Sequence, residues 1–292
     1  MIWRDRKGRV VPGDDGQDRM LEWMYGTVPG RCLVRVLIRP WVSRAAGRLM
    51  DSRISSLAVK PFIRRSRIHM EDFEQRKYRS FNDFFTRRIR QGCRPVDTEP
   101  SHLIAPCDSK LTVYPIGADS RFQVKGVEYT LGSLLRDEAL ARRFLGGTLL
   151  LFRLTVGDYH RYGYVDSGFI GPEVHLDGVY HTVNPAAASR YPIYRENTRE
   201  YALLESDQFG TLLQMEVGAA MVGRIVNQPG GKQVRRGQEK GRFEFGGSTV
   251  IVLLEQNAAI LDEDILRNTR EDAETVVHLG ERIGRKNNRD AG

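Results

Sequence analysis

Three cysteines in 292 residues, Cys32, Cys93 and Cys107, form an odd and widely spaced set. They match neither a zinc-ligand spacing nor a disulfide framework, and suggest free thiols in a reducing compartment. No stretch approaches the roughly 20 apolar residues needed to span a bilayer. The start, Met1-Ile-Trp-Arg-Asp-Arg-Lys-Gly-Arg9, lacks the apolar centre of a signal peptide. With 40% hydrophobic and 28% charged residues the composition is that of a globular protein rather than a disordered one. The length is enough for one large core, with or without an appendage.

Acidic residues are scarce in one segment. Between Arg31 and Arg67 there are ten Arg or Lys against Asp51 alone, so this segment accounts for the whole net charge of +8. In Arg31-Cys-Leu-Val-Arg-Val-Leu-Ile-Arg39 the arginines recur every four residues, on one helical face. Pro40 ends this helix or opens the next. Trp41, Val42, Ala45, Ala46, Leu49 and Met50 then repeat at helical spacing, with Arg44 and Arg48 opposite. Three readings fit a basic amphipathic pair: an anchor on an anionic membrane surface, a helix packed on its own domain, or a nucleic-acid contact.

Further on, the spacing predicts helical character over Glu71–Tyr78. It also predicts a short helix capped by Ser80, with Phe81, Phe84, Phe85 and Ile89 inward. From about residue 100 to 255, β-type runs alternate with Gly, Pro, Asp and Asn. A helix is expected around Glu271–Ile283, where Ala273, Val276, Val277 and Leu279 offer a partial apolar face.

Within the β-rich part, Gly241-Arg-Phe-Glu-Phe-Gly-Gly-Ser-Thr-Val-Ile-Val-Leu-Leu-Glu255 stands out. Its second half reads as a buried strand. The Gly246-Gly247 pair before it frees the backbone and removes side chains from the approach to Ser248. One reading is a kinked strand or bulge. In the other, the Ser248 hydroxyl attacks the Gly247 carbonyl, and β-elimination followed by hydrolysis leaves a pyruvoyl group, an electron sink that can condense with an amine. Three further patches carry candidate chemistry. Asp108 sits in Ala105-Pro-Cys-Asp108, and Asp158-Tyr159-His160-Arg161 leaves a strand. The third, Gly178–Pro185 with Tyr194–Glu200, contains His181, Asn197 and Arg199. Asp108, His160 and Ser248 supply an acid, a base and a nucleophile.

Phe81-Asn-Asp-Phe-Phe-Thr-Arg87, Cys93-Arg-Pro-Val-Asp97, Ala105–Asp108, Asp158–Arg161, Thr182-Val-Asn-Pro185, Glu196-Asn-Thr-Arg199, Val217–Gly223, Gly237–Gly241 and Phe245-Gly-Gly-Ser-Thr249 follow one another in a known order. In this the chain resembles the phosphatidylserine decarboxylase proenzymes, pyruvoyl-dependent lyases, over about residues 20–285. The resemblance implies self-cleavage at Gly247–Ser248 into a β chain 1–247 and an α chain 248–292, with Ser248 becoming the pyruvoyl cofactor and neither pyridoxal phosphate nor a metal required. It implies Ser248, His160 and Asp108 as catalytic residues, with His181, Tyr159, Asn197 and Arg199 as auxiliary ones. The implied partners are phosphatidylserine, an anionic membrane surface and a second copy in a homodimer, with no nucleic acid. The implied location is the cytoplasmic face of the cell membrane, held peripherally. With a lipid as substrate, the membrane reading of the basic helices takes precedence.

One position departs from the pattern. The common motif is Asp-Tyr-His-Arg-x-His, and Gly163 stands where the second histidine would be. His160 is then expected to serve both processing and decarboxylation, with His181 as its rival. Two readings from other classes are an Asp-His-Ser lipid hydrolase without self-cleavage and a catalytically silent lipid-binding module. Against the hydrolase, Ser248 lacks a Gly-x-Ser-x-Gly elbow and opens a strand. The expected architecture is α+β, with amphipathic helices over about residues 15–90. Residues 1–80 form a membrane-associating region, and 81–292 a mainly antiparallel catalytic domain.

Overall fold

The computed structural model describes residues 2–12, 27, 40–66, 68–125, 127–178, 197–218, 224–244 and 248–287. It is an α+β protein built on antiparallel pairing. Among the described residues eleven strands form the main sheet. Its middle runs Arg199–Ser206, Gly210–Val217, Ser248–Leu254, Thr148–Leu154, Ser109–Pro115 and Ala273–Val277. Each neighbouring pair in that series is antiparallel.

The strand Ser248–Leu254 is buried at every position. Its apolar run is continuous because the sheet is covered on both faces. Val250, Val252 and Leu254 join Leu150, Phe152 and Leu212 in one core. Ile251 and Leu253 join Leu149, Leu151, Leu213 and Met215 in the other. A strand with only one wet face would alternate instead.

The main sheet also recruits residues that the sequence assigns elsewhere. Ile2–Arg4 pairs in parallel with Ala273–Val277, and Val10–Val11 pairs with Ile2–Arg4. The stretch Glu271–Ile283 is not helical. It contains the strand Ala273–Val277 and the start of the strand Arg282–Lys286, and the helix precedes it at Glu263–Arg270. Asp272, at φ 54°, breaks the helix, and β-branched Thr275, Val276 and Val277 continue as a strand paired on both sides, with Ser109–Pro115 and Ile2–Arg4. Ala273, Thr275 and Val277 are buried as strand alternation requires, and Glu274 between them is buried against Arg153.

The segment Glu71–Tyr78 is likewise not an α-helix. A single 3₁₀ turn, Met70–Asp72, gives way to Phe73, which bridges to Ile89. Arg94 holds Asp72 at 3.0 Å, and the Phe73 side chain is buried, so tertiary contacts fix this stretch. The Ser80 cap is present, its side chain accepting from Asp83 N–H at 3.1 Å, but the helix is short, Phe81–Phe85. Two small helices in the β-rich part, Leu131–Leu135 and Glu138–Arg143, start at Thr130 and Asp137, whose side chains cap them.

Helices Pro40–Asp51 and Val59–Arg65 dock on the Phe81–Phe85 helix. Phe62 meets Phe81 edge-on at 5.1 Å, and Ser55 Oγ accepts the Phe81 N–H at 2.8 Å. Among the described residues, no helix is long and apolar enough to cross a membrane. The expected helix over residues 31–39 lies outside the described residues.

Candidate active site

Ser248 opens the central strand. Its side chain is out of solvent, and its Oγ lies 3.5 Å from His160 Nδ1. The preceding Gly247 and the other rival for the processing base, His181, lie outside the described residues.

His160 arrives through a turn that Asp158 ties down. The Asp158 carboxylate accepts from Thr155 N–H at 2.6 Å, Thr155 Oγ at 2.8 Å and Lys110 Nζ at 2.6 Å. Lys110 also lies over the Trp3 ring, 4.8 Å from its centre. On the far side, Arg161 donates to Thr86 O and pairs with Glu239 at 2.6 Å. His160 is thus fastened from both directions, and Phe85 stacks on its ring at 3.8 Å.

The His160 ring is fully buried. Burial, then the positive charge of Arg87, hold it well below the ordinary histidine range, so it is neutral. Its Nε2 has no hydrogen-bond partner among the described residues. A neutral imidazole beside a serine hydroxyl can take its proton. That requires the tautomer with Nε2 protonated and the Nδ1 lone pair toward Ser248.

Asp108 lies elsewhere. Ser248 pairs with Leu154, Lys110 with Arg153, and Val277 with Ser109. Ser248, Leu154, Ser109 and Val277 therefore form one row, and Thr155, Asp108 and His278 leave the sheet along the same edge. At about 4.8 Å per strand, residue 108 stands some 10 Å from residue 248 along that row. Asp108 accepts from Arg94 Nη2 at 2.8 Å and from Leu279 N–H at 2.8 Å, and His278 Nδ1 is 3.7 Å away. No hydrogen bond joins it to His160 among the described residues. Burial opposes its charge, but His278 and Arg94 prevail and hold Asp108 down at about 2. Asp108 in turn raises His278.

This edge opens into a cavity of about 920 Å³. Its walls include Asp108, His278, Arg94, Lys110, Tyr159 and Arg65, a mixed-charge lining suited to a polar headgroup. Tyr159 is buried and its phenol is pushed up to about 12.

Arg199 and Asn197 occupy a different place. Arg199 is fully buried, donates to the carbonyls of Leu134 and Ser133, and lies over the Tyr129 ring. Asn197 donates its backbone N–H to the Tyr129 hydroxyl at 3.0 Å.

Arg87, Arg94, Lys110 and His278 were not among the sequence candidates. Arg87 and Arg94 belong to segments quoted above for other reasons. No local pattern marks His278, which meets Asp108 only through the strand order. Among the described residues, no cluster of His, Cys, Asp and Glu is arranged to hold a metal ion.

A family model described as phosphatidylserine decarboxylase matches residues 81–285. Phosphatidylserine decarboxylase proenzyme 2 of Clostridium acetobutylicum is 42% identical over 268 residues, covering 91% of this chain and 92% of that protein. The phosphatidylserine decarboxylase proenzyme of Clostridium novyi is 38% identical, covering 92% and 93%. That of Ruminiclostridium cellulolyticum is 38% identical, covering 91% of each. With a family model spanning most of the chain and relatives matched nearly end to end, this chain belongs to the phosphatidylserine decarboxylase family.

Proposed function

We propose that this chain is a proenzyme that cuts itself between Gly247 and Ser248 and then converts phosphatidylserine to phosphatidylethanolamine and carbon dioxide. The observation that carries the reading is Ser248 Oγ at the head of the buried central strand, 3.5 Å from a neutral, buried His160.

The processing step is assigned to these two residues. His160 Nδ1 takes the Ser248 hydroxyl proton as Oγ attacks the Gly247 carbonyl, and the peptide bond becomes an ester. Loss of the Ser248 α-proton expels the Gly247 carboxylate and leaves a dehydroalanine. Water adds, ammonia leaves, and position 248 becomes a pyruvoyl group. The residues present suit that group: the position is dry, no side chain is carried by Gly247, and His160 Nε2 is a buried polar atom with no partner among the described residues. When formed, the group supplies an electron sink for an amine substrate.

The other assignments follow from surroundings. The cavity beside the Thr155–Tyr159 turn is the proposed headgroup site, with Asp108 holding Arg94 and His278 in its wall. Tyr159 lies in the cavity wall, and His160 follows it in the chain, buried beside Ser248. His181, Asn197 and Arg199 retain auxiliary roles in the proposal, the last two through the Tyr129 contacts. A lipid hydrolase would need Asp108 on His160, and Asp108 is bonded to Arg94 and Leu279 instead.

The membrane-associating part is assigned to residues 40–66 within the N-terminal 80. Leu49, Ile54 and Leu57 are 54%, 72% and 77% exposed, beside Arg48, Arg53 and Lys60. Apolar tips among cations suit an anionic lipid surface. The cavity wall includes Arg65 and Ile68, just beyond this face. The protein is accordingly read as peripheral, at the cytoplasmic face of the cell membrane.

The test is a denaturing intact-mass measurement on purified protein. Cleavage gives separate masses for residues 1–247 and for residues 248–292 with a blocked N-terminus. A single uncut mass in protein that still releases carbon dioxide from phosphatidylserine vesicles overturns the reading.

A further inference from the structure

Arg87 is a buried cation that no carboxylate among the described residues pairs with directly. It is 0% exposed, and its two hydrogen bonds both leave from Nη2, to Gly157 O at 2.8 Å and Asp158 O at 2.9 Å. Its Nε and Nη1 have no hydrogen-bond partner among the described residues. The guanidinium lies over the rings of Phe73 and Phe84, at 4.3 and 4.9 Å. Such a placement costs solvation that two carbonyls and two rings only partly return. Burial pushes the group down to about 10, where it is still charged at neutral pH.

The position explains what the charge faces. Gly157 and Asp158 form the turn that delivers His160, and Phe85, two residues before Arg87, stacks on the His160 ring at 3.8 Å. The Phe81–Arg87 segment therefore grips the His160 segment twice, once through the ring and once through the backbone. We propose that Arg87 is a positioning residue for the Ser248 chemistry: it fixes the turn that carries His160 and sets a buried positive charge against that turn.

The charge opposes protonation of His160 and so keeps its lone pair ready for Ser248. Lys125 acts on His160 in the same direction, while the carbonyls of Thr155 and Val156 act against it. Around Arg87 itself, Tyr78, Asp158, Asp108 and Tyr159 favour its charge. The inference rests on the self-cleavage reading for its consequence, but its physical core, the coupling of Arg87 to His160, can be measured without cleavage.

The experiment uses Arg87→Met, which removes the charge, and Arg87→Lys, which keeps it but loses the fork to two carbonyls. Each is made in the full chain and again with Ser248→Ala, so that His160 can be titrated by ring ¹⁵N NMR in uncut protein. Arg87→Met is expected to raise the pH at which His160 titrates, and Arg87→Lys to leave it near the parent value. Both variants are expected to slow appearance of the 248–292 fragment at least tenfold, Arg87→Lys through position alone. An unchanged His160 titration in folded Arg87→Met overturns the proposal, even if cleavage is slowed. Parental cleavage rates in both variants overturn it as well. If the parent chain is itself never cleaved, the self-cleavage reading falls, and the His160 titration still decides the coupling.

Discussion

Ser248 Oγ and His160 Nδ1 face each other at 3.5 Å, both side chains shut away from solvent, where the central strand begins. His160→Ala is expected to slow formation of the 248–292 fragment by about a hundredfold or more, the usual worth of a positioned base. His181→Ala is expected to leave cleavage close to parental. Because burial and Arg87 keep the ring neutral, the acid limb of the processing rate should lie below the ordinary histidine range. Following fragment appearance against pH checks this, and a midpoint at or above 6.5 would contradict it.

Gly163, where a second histidine would complete the common motif, lies in a tight place. A Cβ there would meet the carbonyl oxygens of Gly237 and Gln238, both at 3.1 Å. These are backbone atoms of the turn before strand Glu239–Phe243, so neither can swing aside. Gly163→His is therefore expected to destabilise the fold by about 1–3 kcal/mol, as overpacking does, and not to accelerate processing. Chemical denaturation and intact mass together test it. A stable variant that is cleaved faster would show that the site accepts the missing ring.

The sequence makes the central strand legible because a run such as Val250–Leu254 has one stable home, between two apolar layers. Ser80 and its helix are legible for a local reason too, since the cap acts on the N–H three residues away. Residues 273–283 are not, because Ala273 and Val277 satisfy a helical stripe and a strand alternation equally, and the neighbouring strand Ser109–Pro115 decides. The same limit applies to chemistry. Asp108, His160 and Ser248 are the right residue types, but only strand order reveals that two strand spacings separate Asp108 from Ser248. His278 and Arg94, which Asp108 does meet, come from distant parts of the chain. Arg87 is visible as a residue, but its burial and its lack of a paired carboxylate among the described residues are not.

Lys240 and Glu216 are both fully buried, Nζ to Oε2 at 2.7 Å, and Glu173 adds a second carboxylate at 3.0 Å. Burial opposes the Lys240 charge, but the two carboxylates overcome it and raise the ammonium. The pair ties strand Glu239–Phe243, which leads toward the cleavage site, to strand Gly210–Val217 in the main sheet. Lys240→Met leaves the buried Glu216 and the half-buried Glu173 without their cation and is expected to cost about 3–5 kcal/mol. Combining it with Glu216→Leu should recover part of that loss. Denaturant midpoints of the single and double variants decide, and a double variant weaker than the single one would show that the pair is not the source of the penalty.

Asp108 carries a pH signature. Its folded value of about 2 lies below the ordinary 3.8, so its stabilising contribution is present above the ordinary value and is lost as pH falls through about 2. The shift corresponds to about 2 kcal/mol. Asp108→Asn should thus lower stability at neutral pH by about that amount, with the gap to the parent closing between about pH 4 and 2. His278 has the opposite sign. Raised by Asp108, it stabilises below its ordinary value and loses that contribution as pH rises through its folded value. Stability curves measured against pH for Asp108→Asn and His278→Gln test both limbs, and a parent–variant gap independent of pH would rule out the charge as its origin.

Point changes test the membrane face better than truncation, because removing the N-terminus would also take away Ile2–Arg4, a strand of the main sheet. Ile54 and Leu57 are well exposed, so Ile54→Glu and Leu57→Glu should leave the denaturation midpoint within about 0.5 kcal/mol of the parent. Each change withdraws an apolar tip from the lipid and adds a charge repelled by anionic headgroups. The expected result is at least a tenfold loss of binding to vesicles containing phosphatidylserine, together with a weaker dependence on salt. Cleavage at Gly247–Ser248, measured by intact mass, should be unaffected, since both side chains are exposed to solvent while Ser248 and His160 are buried. If the double variant still sediments with vesicles as the parent does, residues 49–57 are not the lipid-facing surface, and the other exposed apolar positions, Val10 first among them at 69%, become the place to look.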